Sequence, residues 1–572
     1  MITNADQFAS NRISLFNGKE FETASALEAE TMTTKRIAVI GAGPTGLCAI
    51  KCLLEEGMEP VCFERTNHIG GLWRYHDEDI EGLASVMKTT VINSSKEMTA
   101  VSDFPPPEDA PNYMHNKQIY NLLKTYSETF DVEKYVHFHK EAVEVNMAEN
   151  YEETGRLLVV VRDTETQETS KDIYDGVMVC IGHHVYPNIP AFPGIEKLKG
   201  KIMHTHSLKK IGEFEDQVVV VVGVGNSGMD AAVEISTVAK QVYLSSRKGT
   251  WVLPRVGPKG FPLDVALTSR FTNILMHILP YFLVCWFSEK VLNYSFDHEI
   301  YSLKPKHRIW SQHPTVSDSL PLKILTGRVL VRKNIREFIE NGVIFEDEDD
   351  VTECDSVILA TGYRIQFPFL NEKLATIKNN EVHLYKYIYP PHLKHPTLAI
   401  VGLIQSVGGG FPIGEAQCRW ISLVFKDKMK LPSREEMEAD IKRKKEFNEK
   451  RYVKSERHTI QVDYIDYLDE IYTMMGAKPN LFKMFFTDPV LFFTLFFGPS
   501  LPYQYRLQGP HAWPGARKSI LEWKRRVIKP LKKDYNSQPY LAELNVLKYV
   551  FIMFIICAIL FLGTGLVSKT EF

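Results

Sequence analysis

The sequence predicts an α/β protein with two Rossmann-like dinucleotide-binding domains, one inserted in the other, and a transmembrane helix at the C-terminus. Three observations predict it. Short β-branched runs alternate with helical patterns, which marks strands layered with helices around parallel sheets. Two of those runs lead straight into Gly-x-Gly-x-x-Gly turns. Close to the C-terminus, the 19 residues YVFIMFIICAILFLGTGLV, Tyr549–Val567, carry no formal charge.

Composition sets the class. The chain has 572 residues, 44% hydrophobic and 24% charged, with a formal net charge of −3. These are ordinary values for a globular protein with cores of several domains. No basic excess points to nucleic acid as a partner. The 8 cysteines include no C-x-x-C pair, which argues against a disulfide framework, a zinc ribbon or a dithiol redox site. No metal site is expected. Residues 1–31 lack an apolar run and read as a disordered extension rather than a secretory signal.

The strongest strand patterns are Arg36–Ile40, Val61–Phe63, Val177–Cys180, Val218–Val222, Val242–Leu244 and Val357–Leu359. The first glycine turn is Gly41-Ala42-Gly43-Pro44-Thr45-Gly46, after RIAVI. Gly41 permits a tight turn, Gly43 lets backbone approach a pyrophosphate, and Gly46 lets helix and strand pack closely. The pyrophosphate gains the N–H groups and positive dipole end of the following helix. Glu64 ends the next strand, 18 residues beyond Gly46, placed to accept ribose hydroxyls. It would repel a 2′-phosphate, so this site suits FAD or NAD(H).

The second turn is Gly223-Val224-Gly225-Asn226-Ser227-Gly228, after VVVVV. Here the residue 19 beyond the last glycine is Arg247, beside Ser245, Ser246 and Lys248. A guanidinium grips a phosphate bidentately, so this site should prefer NADPH over NADH. Flavin held in the first site and NADPH visiting the second is the simplest joint reading.

The ends add a membrane. Nineteen helical residues cover nearly the whole hydrocarbon thickness. Lys524, Arg525, Arg526, Lys529, Lys532, Lys533 and Lys548 precede the run and place the body on the cytosolic side. Two further apolar stretches, Phe271–Phe287 and Leu481–Phe497, are too short or too broken to span. They read as interfacial segments that dip into the same leaflet.

Between about Thr34 and Trp523 the chain resembles the microsomal flavin-containing monooxygenases. The matching motifs are Gly41–Gly46, FER at Phe63–Arg65, Gly70-Gly71-Leu72-Trp73, Asn93-Ser94-Ser95-Lys96-Glu97-Met98, Gly223–Gly228, Ala360-Thr361-Gly362-Tyr363 and Gly515-Ala516-Arg517. The segments Leu303–Arg308 and Ser311–Thr315 look similar to the fifth mammalian isoform. The resemblance implies FAD and NADPH as cofactors, O₂ as co-substrate and a C4a-hydroperoxyflavin that gives one oxygen to a nitrogen- or sulfur-containing lipophilic molecule. In isoform-five-like members a ketone is instead converted to an ester by Baeyer–Villiger chemistry.

By the same resemblance Glu64, Leu72, Trp73 and Ile92 contact FAD, and Asn93 is the catalytic residue beside the flavin. Its amide both donates and accepts, which suits a hydroperoxide. Ser227, Gly228, Met229 and Asp230 match NADP-contacting positions. The monooxygenase fingerprint F-x-G-x-x-x-H-x-x-x-(W/Y) appears here as Leu198, Gly200, His204 and Leu208, with both aromatic ends replaced. His204 is read as a linker residue.

The implied organisation is an extension at 1–31, an FAD-binding domain at 32–185 and 355–480, and an NADPH-binding domain inserted at 186–354. A membrane-associated region follows at 481–545, then an anchor at 546–568, in the endoplasmic reticulum by resemblance. Homo-oligomerisation stays open. Two competing readings also stay open: an NADPH oxidase that releases hydrogen peroxide, and a non-catalytic membrane protein that retains the fold.

Overall fold

The computed structural model describes residues 34–532, apart from 85 and 456–458, together with 535. The extension expected at 1–31 and the anchor at 546–568 lie outside these residues. Among the described residues no helix is long and apolar enough to cross a membrane.

Two five-stranded parallel sheets organise the chain. The first uses β1 (Arg36–Ile40), β2 (Glu59–Phe63), β3 (Val136–His137), β4 (Gly176–Val179) and, far along the chain, β10 (Leu398–Ile400). Its order is β10-β4-β1-β2-β3. The second uses β5 (Lys201–His204), β6 (Val218–Val222), β7 (Gln241–Ser245), β8 (Val329–Arg332) and β9 (Ser356–Leu359), in the order β8-β7-β6-β9-β5. In both sheets the central strand is the one that feeds a glycine turn.

The valine run of β6 shows why such strands read as unbroken apolar segments. Val219 and Val221 enter a core on one face of the sheet, with Leu244 and Ile358. Val220 and Val222 enter another on the opposite face, with Val357 and Leu359. A parallel sheet covered on both sides leaves no position for a polar residue.

One strand sits elsewhere than expected. Ser356–Leu359, expected in the half that contains the first sheet, pairs instead with β6 and β5 in the second sheet. The boundary at 355 therefore cuts through the second sheet. The chain returns to the first sheet only at β10, which starts 39 positions after the last residue of β9. Its two crossings run side by side: Tyr186–Pro187 pairs antiparallel with Tyr363–Arg364.

Helices α1 (Pro44–Glu55) and α2 (Asn226–Ile235) follow the two turns. The apolar stretch at 271–287 folds as α3 (Arg270–Ile278) and α4 (Tyr281–Ser295). Helix α5 (Gly410–Phe425) packs on α1, where Gly414 lets it close against the Thr45 methyl. The stretch at 481–497 forms α6 (Leu481–Thr487) and α7 (Pro489–Phe497). These four apolar helices form one surface, since α3 packs against both α4 and α7, and α6 against α7. Part of it is core: Phe271, Cys285, Leu491 and Leu495 are buried.

Candidate functional site

The first turn is built from backbone. Gly41 has φ +97°, open to glycine at little cost. A Cβ on Gly46 would stand 1.9 Å from the Gly41 carbonyl oxygen, so only glycine lets α1 start here. A Cβ on Gly43 would meet nothing closer than Gly71 Cα at 3.8 Å, so this face is open. No side chain caps α1, which leaves its first-turn N–H groups to a ligand. Gly70 N–H donates to Ala42 O and brings the Gly70-Gly71-Leu72-Trp73 turn over the site, with Trp73 edge-on to Phe411. An open, uncapped helix start with a glycine lip fits a dinucleotide pyrophosphate.

Glu64, expected at a ribose, is engaged by the chain itself. It is buried, its Oε2 accepts from Ala42 N–H at 2.9 Å, and its Oε1 accepts from both the N–H and the hydroxyl of Thr66. The carboxylate thus braces the first glycine turn against the end of β2.

The second turn repeats this construction. Gly223 has φ +111°, and a Cβ on Gly228 would come within 2.0 Å of the Gly223 carbonyl oxygen. Gly225 precedes α2, again without a side-chain cap. A strap crosses this turn: Thr315 donates its hydroxyl to Val224 O at 2.7 Å, and Val316 N–H donates to Asn226 Oδ1 at 2.8 Å. The Ala360-Thr361-Gly362 motif belongs here too, because Ala360 O packs against Gly223, as Cys180 O packs against Gly41. Ser227 is exposed, whereas Gly228 and Met229 are buried. Burial pushes the Asp230 carboxyl up to about 6, against the pull of the Arg255 charge. At the end of β7, Ser245 donates to Lys333 O and the Ser246 hydroxyl accepts from Gly249 N–H, while Arg247 and Lys248 are exposed.

Asn93 lies between these halves. Ile92 N–H donates to Met114 O, and Ser95 N–H donates to Asp264 Oδ2 at 2.6 Å. Two residues on, the buried Glu97 pairs with the buried Arg526. The Asn93 amide oxygen accepts from Arg255 Nη2 at 2.6 Å. Four groups that hold this segment or its partner, Arg255, Asp264, Asp318 and Arg526, escape sequence reasoning. No spacing rule relates them to position 93.

The family follows from comparison with known proteins. The model described as "FMO-like: Flavin-binding monooxygenase-like" matches residues 34–564. The chain belongs to this family. The flavin-binding monooxygenase-like chain is 50% identical over 502 residues to flavin-containing monooxygenase 5 of Rattus norvegicus, covering 87% of this chain and 94% of that one. It is 42% identical over 530 residues to dimethylaniline monooxygenase [N-oxide-forming] 2 of Oryctolagus cuniculus, covering 92% and 99%. Among solved structures, S-allyl-L-cysteine S-oxygenase from Allium sativum aligns with TM-score 0.60 at 23% identity, covering 85% and 99%. An oxidized steroid monooxygenase bound to NADP aligns with TM-score 0.58 at 16% identity, covering 77% and 97%. These two establish the α/β fold. By its family this chain is a flavin-binding monooxygenase-like enzyme.

The altered fingerprint of this monooxygenase is explained by packing. Leu208 is buried in the core of one face of the second sheet, and Leu198 packs on the core of the other. His204 ends β5, buried, with Nδ1 accepting from His206 N–H at 3.0 Å. Burial lowers its pKa to about 4, so the ring is neutral. His184, His204 and His206 surround Tyr363 at centroid distances of 5.2, 5.2 and 6.2 Å, beside the paired crossings.

Proposed function

We propose that the Gly41–Gly46 turn holds the FAD pyrophosphate and the Gly223–Gly228 turn that of NADPH, with Asn93 at the flavin. The observation that carries this reading is the duplication. Each sheet sends its central strand into an uncapped glycine turn, and Asn93 is bonded across from one half to the other. FAD held at the Gly41–Gly46 turn would supply the redox chemistry, hydride acceptance from NADPH and activation of O₂. One oxygen atom goes to substrate and the other leaves as water.

The chain's own groups bind and orient. Glu64 braces the first turn, Arg247 presents its guanidinium to a 2′-phosphate, and Asn93 offers an amide donor. The substrates are small lipophilic molecules with a soft nitrogen or sulfur, and ketones are an alternative class. The names of the N-oxide-forming and S-oxygenating relatives support the first class. The apolar surface of α3, α4, α6 and α7 rests on lipid, and the uncharged run at 549–567 anchors the chain in the endoplasmic reticulum membrane.

Stopped-flow spectroscopy tests this. Enzyme reduced anaerobically with NADPH is mixed with oxygenated buffer. A long-lived absorbance distinct from both reduced and oxidised flavin, discharged by an amine or thioether, is the expected result. Immediate return to oxidised flavin with one peroxide per NADPH would instead identify an oxidase.

A further inference from the structure

Arg255 belongs to the second half of the molecule and reaches into the first. It follows Val252–Leu253, which pairs with the strap strand Thr315–Val316. Asp318, two residues past that strap, holds Arg255 at two points and the next residue at a third. Its Oδ1 accepts from the Arg255 N–H at 2.8 Å and the Val256 N–H at 3.3 Å, and its Oδ2 pairs with Arg255 Nη1 at 3.2 Å. Tyr113 of the first half donates its hydroxyl to Arg255 O at 2.7 Å. The guanidinium is mostly buried, and its other branch, Nη2, donates to Asn93 Oδ1.

A continuous bonded path therefore runs from the second turn to Asn93. Val224 and Asn226 hold Thr315 and Val316, Asp318 holds Arg255, and Arg255 holds the amide. A guanidinium only donates. The amide must turn its oxygen to Arg255, and the planar group then points its NH₂ away. The positive charge at Nη2 also polarises the amide and makes that NH₂ a stronger donor.

We propose that Arg255 is a positioning residue that sets the orientation of the Asn93 amide from the NADPH half. The seating of the strap on the second turn thereby governs the donor at the flavin. This rests on the placement of the flavin against Asn93 given above. Without Arg255 the amide is free to flip, and the oxygen-activating step loses its oriented donor. Reduced flavin then returns O₂ as hydrogen peroxide, with NADPH + H⁺ + O₂ giving NADP⁺ + H₂O₂.

The test is a double-mutant cycle on the full-length FAD-loaded protein with Arg255→Ala, Asn93→Ala and both. Three quantities are read: Tm, the return rate of the flavin spectrum to oxidised after O₂ mixing, and the peroxide formed per NADPH. Arg255→Ala is expected to speed the return roughly tenfold and raise peroxide several-fold, with flavin content and KM for NADPH within about twofold. In the Asn93→Ala background it should add nothing to either effect, and the two Tm losses should be less than additive. Full additivity, or an Arg255→Ala return rate unchanged while Asn93→Ala accelerates it, overturns the positioning role and leaves the flavin placement standing. An unchanged rate in Asn93→Ala itself overturns that placement and the proposal with it. Should Arg255→Ala not fold, Arg255→Lys keeps a charge for Asp318 without the two-branched fork. It is expected to show the same acceleration in smaller measure, and wild-type behaviour would overturn the proposal.

Discussion

Gly46 touches the carbonyl of Gly41 so closely that a single methyl group on it would come within 1.9 Å of the oxygen, and Gly228 stands in the same relation to Gly223 at 2.0 Å. The obstacle is backbone in both turns and cannot swing aside. The two substitutions should separate the cofactors. Gly46→Ala is expected to yield protein with little or no bound flavin, read from the ratio of flavin to protein absorbance. Gly228→Ala should keep its flavin and raise KM for NADPH roughly five- to hundredfold, since overpacking of this kind costs about 1–3 kcal/mol at the helix proposed to receive the phosphates. Equal flavin loss in both would remove the division of labour between the turns.

Arg247 carries a prediction about cofactor choice. It is exposed at the end of β7, while neighbouring Ser245 and Ser246 are engaged by the chain itself. A charge-assisted pair with a phosphate contributes about 1.5–3 kcal/mol. Arg247→Ala should therefore raise KM for NADPH roughly ten- to hundredfold and leave KM for NADH nearly unchanged. Parallel losses for both nucleotides would show that the 2′-phosphate is read elsewhere.

The six strands expected from sequence all form, with ends within two residues, because buried parallel strands are short unbroken β-branched runs. The close approach of Gly46 to Gly41 and of Gly228 to Gly223 was also legible, since each is a contact between residues of one turn. Sheet membership was not. Val177–Cys180 and Val357–Leu359 both run on to a glycine at the same offset, Gly182 and Gly362, and only pairing tells that the second lies beside β6. Glu64 was expected at a ribose, and its bonds to Ala42 and Thr66 depend on a loop conformation that spacing does not encode. The partners of the Asn93 segment were invisible for a plainer reason. Arg255 is 162 residues from Asn93 and Arg526 is 429 from Glu97, so no local periodicity connects them.

The apolar helices predict a contact with lipid. On α4, Phe282, Trp286, Phe287 and Val291 are exposed, and on α6 so are Phe482 and Phe486. A contiguous apolar surface of this kind marks an interaction site rather than ordinary protein surface. Trp286 supplies a probe, as the run at 549–567 contains no tryptophan. In full-length protein reconstituted into nanodiscs, lipids brominated on their acyl chains should quench part of the tryptophan emission. Trp286→Phe should abolish most of that quenched part. If the quenched fraction survives the substitution, the α4 face stands clear of the bilayer.

His298 makes acid stability testable, with a sign fixed by its bonds. It is fully buried, its Nε2 accepts from Val252 N–H at 2.9 Å, and its Nδ1 faces Asn293 Oδ1 at 2.7 Å. The single proton is therefore on Nδ1, and a second would have to sit on Nε2 against the Val252 N–H. Burial outweighs the opposing charge of Asp297 and lowers the pKa to about 4. A base with a depressed pKa binds fewer protons folded than unfolded, so its contribution is full above about 6.5 and is lost as pH falls toward 4. The loss is on the order of 3 kcal/mol. His298→Asn should be less stable than wild type at pH 7.5. Its Tm deficit should shrink steadily between pH 6.5 and 4, because only the wild type loses stability through this group. A deficit that stays constant across that range would mean that His298 takes up its proton in the folded protein as readily as in the unfolded chain.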